Sequence, residues 1–134
     1  MMLLRSSVLL ALLANPALAG DPAVGEKEFN KCKACHALVA FDGTVVVKGG
    51  KTGPNLYGVI GRPVGGMPEY VYGPALLAAG ADGQAWDEAS LALYVSDPNK
   101  WVQEKTGDPG LKTRMTFKLA KGGEDVAAYL ATLK

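Results

Sequence analysis

Apolar positions recur with helical spacing at the two ends of this chain and lose all period in its middle. After Asp21-Pro22, Gly25, Phe29 and Cys32 stand at i, i+4 and i+7, one face of a helix. A carboxylate cap followed by proline starts such a helix, and the spacing predicts that it runs to about Cys35 or Ala37. Asp87 to Val95 reads as a second helix, with Leu91, Tyr94 and Val95 on one side. Asp97-Pro98 repeats the start signal and predicts a third, to about Glu104. Val126, Tyr129, Leu130 and Leu133 mark a last helix behind Gly122-Gly123, with Glu124 and Asp125 suited to its N-terminal end. In between, the turn Phe41-Asp42-Gly43-Thr44, an extended Val45–Val47 and a short helix from Pro74 to Ala79 interrupt Gly- and Pro-rich loop. The stretch from Thr106 to Phe117 is loop again. This predicts an all-α domain of short helices and long loops, and such loops bury little unless they wrap around something.

The first 19 residues stand apart. Arg5 precedes the apolar run Val8–Ala14, and Ala17-Leu18-Ala19 offers small residues for cleavage before Gly20. This is the pattern of a secretory signal peptide, and the run is too short for the roughly 20 residues of a membrane span. An uncleaved anchor is the competing reading. Residues 20–134 then form one domain. The chain has 14 basic and 13 acidic side chains, so with Arg5 removed the remainder is neutral. Nothing in that balance points to nucleic acid or anionic lipid. Export implies an oxidising compartment, the bacterial periplasm.

Both cysteines and the only histidine fall in Cys32-Lys33-Ala34-Cys35-His36. Positions i, i+3 and i+4 share a face of a helical turn. Two sulfurs there can bond the two vinyl groups of one haem edge while the imidazole reaches the iron; the pattern reads as covalent haem attachment. A thioredoxin-like dithiol would open a helix inside a βαβ unit, which is missing here. A structural zinc site needs four ligands, and the chain has no further Cys or His.

The occupant of the second axial position decides between electron transfer and chemistry on a bound molecule. With Met1 and Met2 in the leader, the thioether candidates are Met67 in a Gly-Gly-Met-Pro turn and Met115 in a loop between helices. Met115 is the expected ligand, and ordinary core filling is its alternative role.

These residues resemble the class I c-type cytochromes, and among them the bacterial cytochromes c2. The similarity runs from Gly25-Glu26-Lys27 to Tyr129 through Lys51-Thr52-Gly53-Pro54-Asn55-Leu56, Gly58 to Arg62, Trp86, Thr113-Arg114-Met115 and Ala128-Tyr129-Leu130. The resemblance implies a cytochrome c fold around one haem c, held by Cys32 and Cys35, with His36 and Met115 as axial ligands. It further implies that the Pro54 carbonyl accepts a hydrogen bond from His36. Trp86, Tyr72, Arg62 and Thr113 would lie on the propionate side, and Tyr94 near the Met115 sulfur. The first and last helices would cross with Gly25 and Phe29 against Val126 and Tyr129. The stretch Ala40 to Gly50 is longer than in short mitochondrial relatives.

The implied function is a one-electron carrier, not an enzyme, between the cytochrome bc complex and a photosynthetic reaction centre or terminal oxidase. A haem peroxidase or ligand-binding haem protein with an open sixth position is the alternative. Lys27, Lys31, Lys33, Lys112, Lys118 and Lys121 flank the two ligand segments, while Asp82, Asp87 and Glu88 cluster elsewhere. A basic haem edge on a monomer would steer it to acidic docking faces; scattered solubilising lysines are the alternative.

Overall fold

The computed structural model describes residues 20–134; the expected signal peptide, residues 1–19, lies outside them. The order is α1 (Pro22–Glu28), a 3₁₀ turn (Phe29–Lys31), β1 (Leu38–Val39), β2 (Val45–Val47), α2 (Pro74–Ala79), α3 (Glu88–Ser96), α4 (Pro98–Thr106) and α5 (Gly123–Ala131). The fold is that of an all-α domain with long loops.

Aspartates start three of the helices. Asp21 accepts from the N–H groups of Ala23 and Val24, Asp87 from Ser90, and Asp97 from Lys100. Each satisfies donors that a helix N-terminus leaves without partners. Asp97 also pairs with Lys118 at 3.3 Å. The Lys100 hydrogen bond, and then Lys118, hold its carboxyl below the ordinary value. A depressed carboxyl stabilises the fold above its unfolded pKa, and the contribution vanishes as pH falls through the folded value. Asp97→Ala is therefore expected to lower the thermal midpoint by a few degrees at neutral pH, with the gap to wild type closing below about pH 4. Asp97→Asn, which can still cap, is expected to recover most of it; thermal unfolding followed by far-UV circular dichroism checks both.

Two elements differ from the sequence expectation. The first helix stops at Glu28 rather than near Cys35, because the chain tightens into the 3₁₀ turn, with Cys32 N–H on the Phe29 carbonyl at 2.8 Å. A single turn then carries the Cys–His segment. The Cys32 carbonyl accepts from the N–H groups of both Cys35 and His36, at 3.2 and 3.0 Å. The second difference is β1, which pairs antiparallel with β2. A two-residue strand has no period to read; it exists because its partner does. Asn55 secures it, accepting from Val39 N–H at 3.0 Å and donating to the Val39 carbonyl at 2.8 Å.

α1 crosses α5, which also packs on α3; α4 lies against α2 and α3. At the crossing, a Cβ on Gly25 would sit 1.9 Å from the Asp125 carbonyl oxygen and 2.8 Å from Tyr129 Cβ. Only glycine admits so close an approach. Phe29 meets Tyr129 edge-on, ring centroids 6.0 Å apart. Phe29, Leu38, Val102, Val126 and Leu130 are fully buried, and the helices enclose an apolar cavity on the side facing the loops.

Candidate functional site

The cavity holds about 590 Å³ and takes its walls from the turn after α1, the central loops, α2, α3, the segment between α4 and α5, and α5, within the range of cofactor sites. Cys32, Cys35 and His36 line it from the turn after α1, Pro54 and Leu56 from the following loop, Tyr94 and Trp86 from α3 and its approach, and Thr113 and Met115 from the strap between α4 and α5. Met67 does not line it. Leu76, Leu91 and Leu130 supply apolar walls.

His36 is fixed by its surroundings. Its Nδ1 donates to the Pro54 carbonyl at 2.7 Å, which leaves Nε2 as the unprotonated nitrogen, the tautomer a metal ligand needs. Burial holds its pKa below the ordinary value, opposed by the Pro54 bond. Gly53 lies flat against the ring: a Cβ there would stand 2.2 Å from Cε1 and 2.6 Å from Nδ1. The sequence reading missed this contact, since a glycine in a Gly-Pro loop looks like turn chemistry.

Neither cysteine is in a disulfide; Cys32 is half-buried and Cys35 exposed. Burial, with help from Glu28, pushes the Cys32 thiol up to about 11. That is opposite to the depressed thiol of a dithiol redox catalyst, whereas a neutral thioether tolerates burial. Among the described residues, no three His, Cys, Asp or Glu side chains gather as a metal-ion cluster would require.

Arg62 and the phenols form one polar stretch of the lining. The Arg62 guanidinium donates to the Tyr57 carbonyl at 2.9 Å; burial holds its pKa below the ordinary value, opposed by the Tyr72 hydroxyl nearby. Tyr72 accepts from Met67 N–H at 3.0 Å, and Tyr70 donates to the Thr52 carbonyl at 2.6 Å. Tyr70, absent from the sequence reading, stacks edge-on with Tyr72, 4.8 Å between centroids. Such a cation and hydroxyl set suits carboxylates on a bound molecule. Trp86 sits in an aromatic cluster with Tyr94 and Trp101, centroids 5.1 and 4.9 Å away. Burial raises the Tyr94 hydroxyl's pKa, against a hydrogen bond to Thr113, so it stays a neutral donor.

No family model matches the chain. Against individual proteins, it is 58% identical over 131 residues to cytochrome c2 of Rhodobacter capsulatus, covering 98% of this chain and 96% of that protein. It is 56% identical to cytochrome c-550 of Paracoccus versutus, over 89% of this chain and 80% of that one. The chain belongs to the cytochrome c2 and c-550 family. The solved structures agree: Rhodobacter capsulatus cytochrome c2 superposes with a TM-score of 0.83 at 61% identity, covering 84% of this chain and 97% of that one. Ferric cytochrome c-550 of Paracoccus versutus gives 0.83 at 55%, covering 85% and 98%. This cytochrome is an electron carrier whose cofactor is one covalently attached haem c. The lining fits that group: two sulfurs, a nitrogen ligand and a thioether open on one apolar cavity, and glycine keeps the space beside the imidazole clear.

Proposed function

We propose that this cytochrome is an exported, periplasmic one-electron shuttle that carries electrons from a cytochrome bc complex to a photosynthetic reaction centre or terminal oxidase. The observation that carries the reading is the convergence of Cys32, Cys35, His36 and Met115 on one cavity. Cys32 and Cys35 would tether the haem, and His36 and Met115 would ligate its iron. The haem supplies a reversible one-electron change at iron. The protein supplies everything else. Pro54 orients His36 and strengthens it as a ligand. Arg62, Tyr72, Trp86 and Thr113 serve the propionates, and Tyr94 stands by the Met115 sulfur. With His36 and Met115 both bound, the iron would have no site for a substrate, so the group would move electrons rather than atoms, and thioether ligation would favour the ferrous state. Among the described residues no helix is long and apolar enough to cross a membrane.

Docking uses the cavity mouth, where Lys31, Val71, Arg114 and Phe117 contribute to the lining. Lys27, Lys33, Lys112, Lys118 and Lys121 are exposed, as are Asp82, Asp87 and Glu88. The basic set steers the monomer toward acidic partner faces although its net charge is small. Intact-mass measurement of the purified protein tests the attachment: the expected mass is that of the chain from Gly20 plus one haem, with no free thiol. For steering, the bimolecular oxidation rate by reaction centre or oxidase membranes is expected to fall severalfold between low and physiological salt, as the Debye length shrinks from about 30 to 8 Å. A rate indifferent to salt rules steering out.

A further inference from the structure

The strap that carries Met115, between α4 and α5, has little backbone to hold it. Leu111 N–H reaches the Asp108 carbonyl at 3.4 Å, and Leu119 N–H the Val95 carbonyl at 2.8 Å. Among the described residues, no N–H from Lys112 to Lys118 donates to a backbone carbonyl. Side chains hold this stretch, and two come from α4. Asn99 Oδ1 accepts from Thr113 N–H at 2.7 Å and lies 3.2 Å from Thr113 Oγ1. Gln103 Nε2 donates to the Leu111 carbonyl at 2.9 Å. Their i, i+4 spacing puts both amides on one face, while Trp101 and Val102 between them enter the core. Thr113 Oγ1 passes the restraint on, donating to the Met115 carbonyl at 2.9 Å. Apart from the Tyr94 hydroxyl beside Thr113, the remaining ties, Arg114 to the Val71 carbonyl at 3.4 Å and Lys118 to Asp97 at 3.3 Å, are exposed, and such contacts are worth little in water.

The geometry points to Asn99 and Gln103 as positioning residues that latch the Met115 strap and set how readily the iron's sixth position opens to an outside ligand. This rests on the reading of Met115 as the axial ligand. Met115 leaves only if the strap swings away, and the swing breaks the bonds that α4 makes. Truncating Asn99 leaves the half-buried Thr113 without its acceptor at no cost to the helix core. Losing one such bond shifts an opening equilibrium about five- to tenfold.

The test is imidazole titration of the ferric haem-loaded protein, with amide exchange at Thr113 as a second readout. Asn99→Ala is expected to bind imidazole about five- to tenfold more tightly than wild type, and to exchange the Thr113 N–H faster. Gln103→Ala is expected to act in the same direction, and the double variant beyond either. Asn99→Asp keeps the acceptor oxygen, so it is expected to restore wild-type affinity. Unchanged imidazole affinity in Asn99→Ala and the double variant overturns the latch, whatever the Thr113 exchange does. Equal tightening in Asn99→Asp overturns it too, because the effect would then be general loosening. Should wild type bind imidazole no more weakly than Met115→Leu, the ligand assignment itself fails and the latch goes with it.

Discussion

Met115→Leu abolishes the thioether-to-iron charge-transfer absorption of the ferric protein and drops its midpoint potential by on the order of 0.1 V, within the roughly 0.8 V that axial ligands span. The sign follows from ligand chemistry. Thioether sulfur is soft and favours ferrous iron, and leucine fills the same volume without a donor atom. The position is half-buried and lines the cavity beside Thr113 and Tyr94, so the change removes a ligand while disturbing packing little. The reduced variant is then expected to bind carbon monoxide at neutral pH, and the wild type is expected not to. Met67→Leu is the control. Met67 lies outside the cavity lining and meets Tyr72 through its backbone N–H, which leucine retains, so spectrum and potential stay as they are. A potential that moves with Met67 and not with Met115 would exchange the two assignments. Optical redox titration of both variants decides it.

Gly25→Val is the largest expected effect on folding. Its Cβ has nowhere to go: the nearest atom is the Asp125 carbonyl oxygen at 1.9 Å, followed by the Asp125 carbonyl carbon at 2.4 Å and Tyr129 Cβ at 2.8 Å. These are backbone and the stiff base of a side chain, so no rotamer change relieves the overlap. α1 has to lift off α5, which separates Phe29 from Tyr129 and disturbs the segment that leads to Cys32. Overpacking of this kind costs about 3 kcal/mol or more. At roughly 4 °C per kcal/mol for a domain of this size, the thermal midpoint falls by about 10 °C or more. Glu26→Val, one position along on the exposed side of the same helix, carries the same β-branched side chain and is expected to shift it little. Differential scanning calorimetry on the haem-loaded proteins distinguishes steric overlap from a simple loss of helix propensity.

The sequence alone carried what is local. Five consecutive residues hold the two sulfurs and the imidazole, so the attachment segment was legible without any contact map. Helix starts were equally plain at Asp21-Pro22 and Asp97-Pro98, because a cap and a proline act on their immediate neighbours. The helical period put Gly25 on the buried face of the first helix, while its place at the α1–α5 crossing came from the family resemblance. Only the tertiary structure decided matters that depend on chain closure. It put Met115, which the sequence had already favoured, on the cavity wall and left Met67 off it. It made a strand of Leu38–Val39 by bringing Val45–Val47 alongside. It set Gly53 against the His36 ring, and Asn99 against Thr113 across a loop. A cap or a tether bonds within one turn of its own helix. A wall, a strand partner or a latch exists only where residues far apart in sequence are folded to within bonding distance.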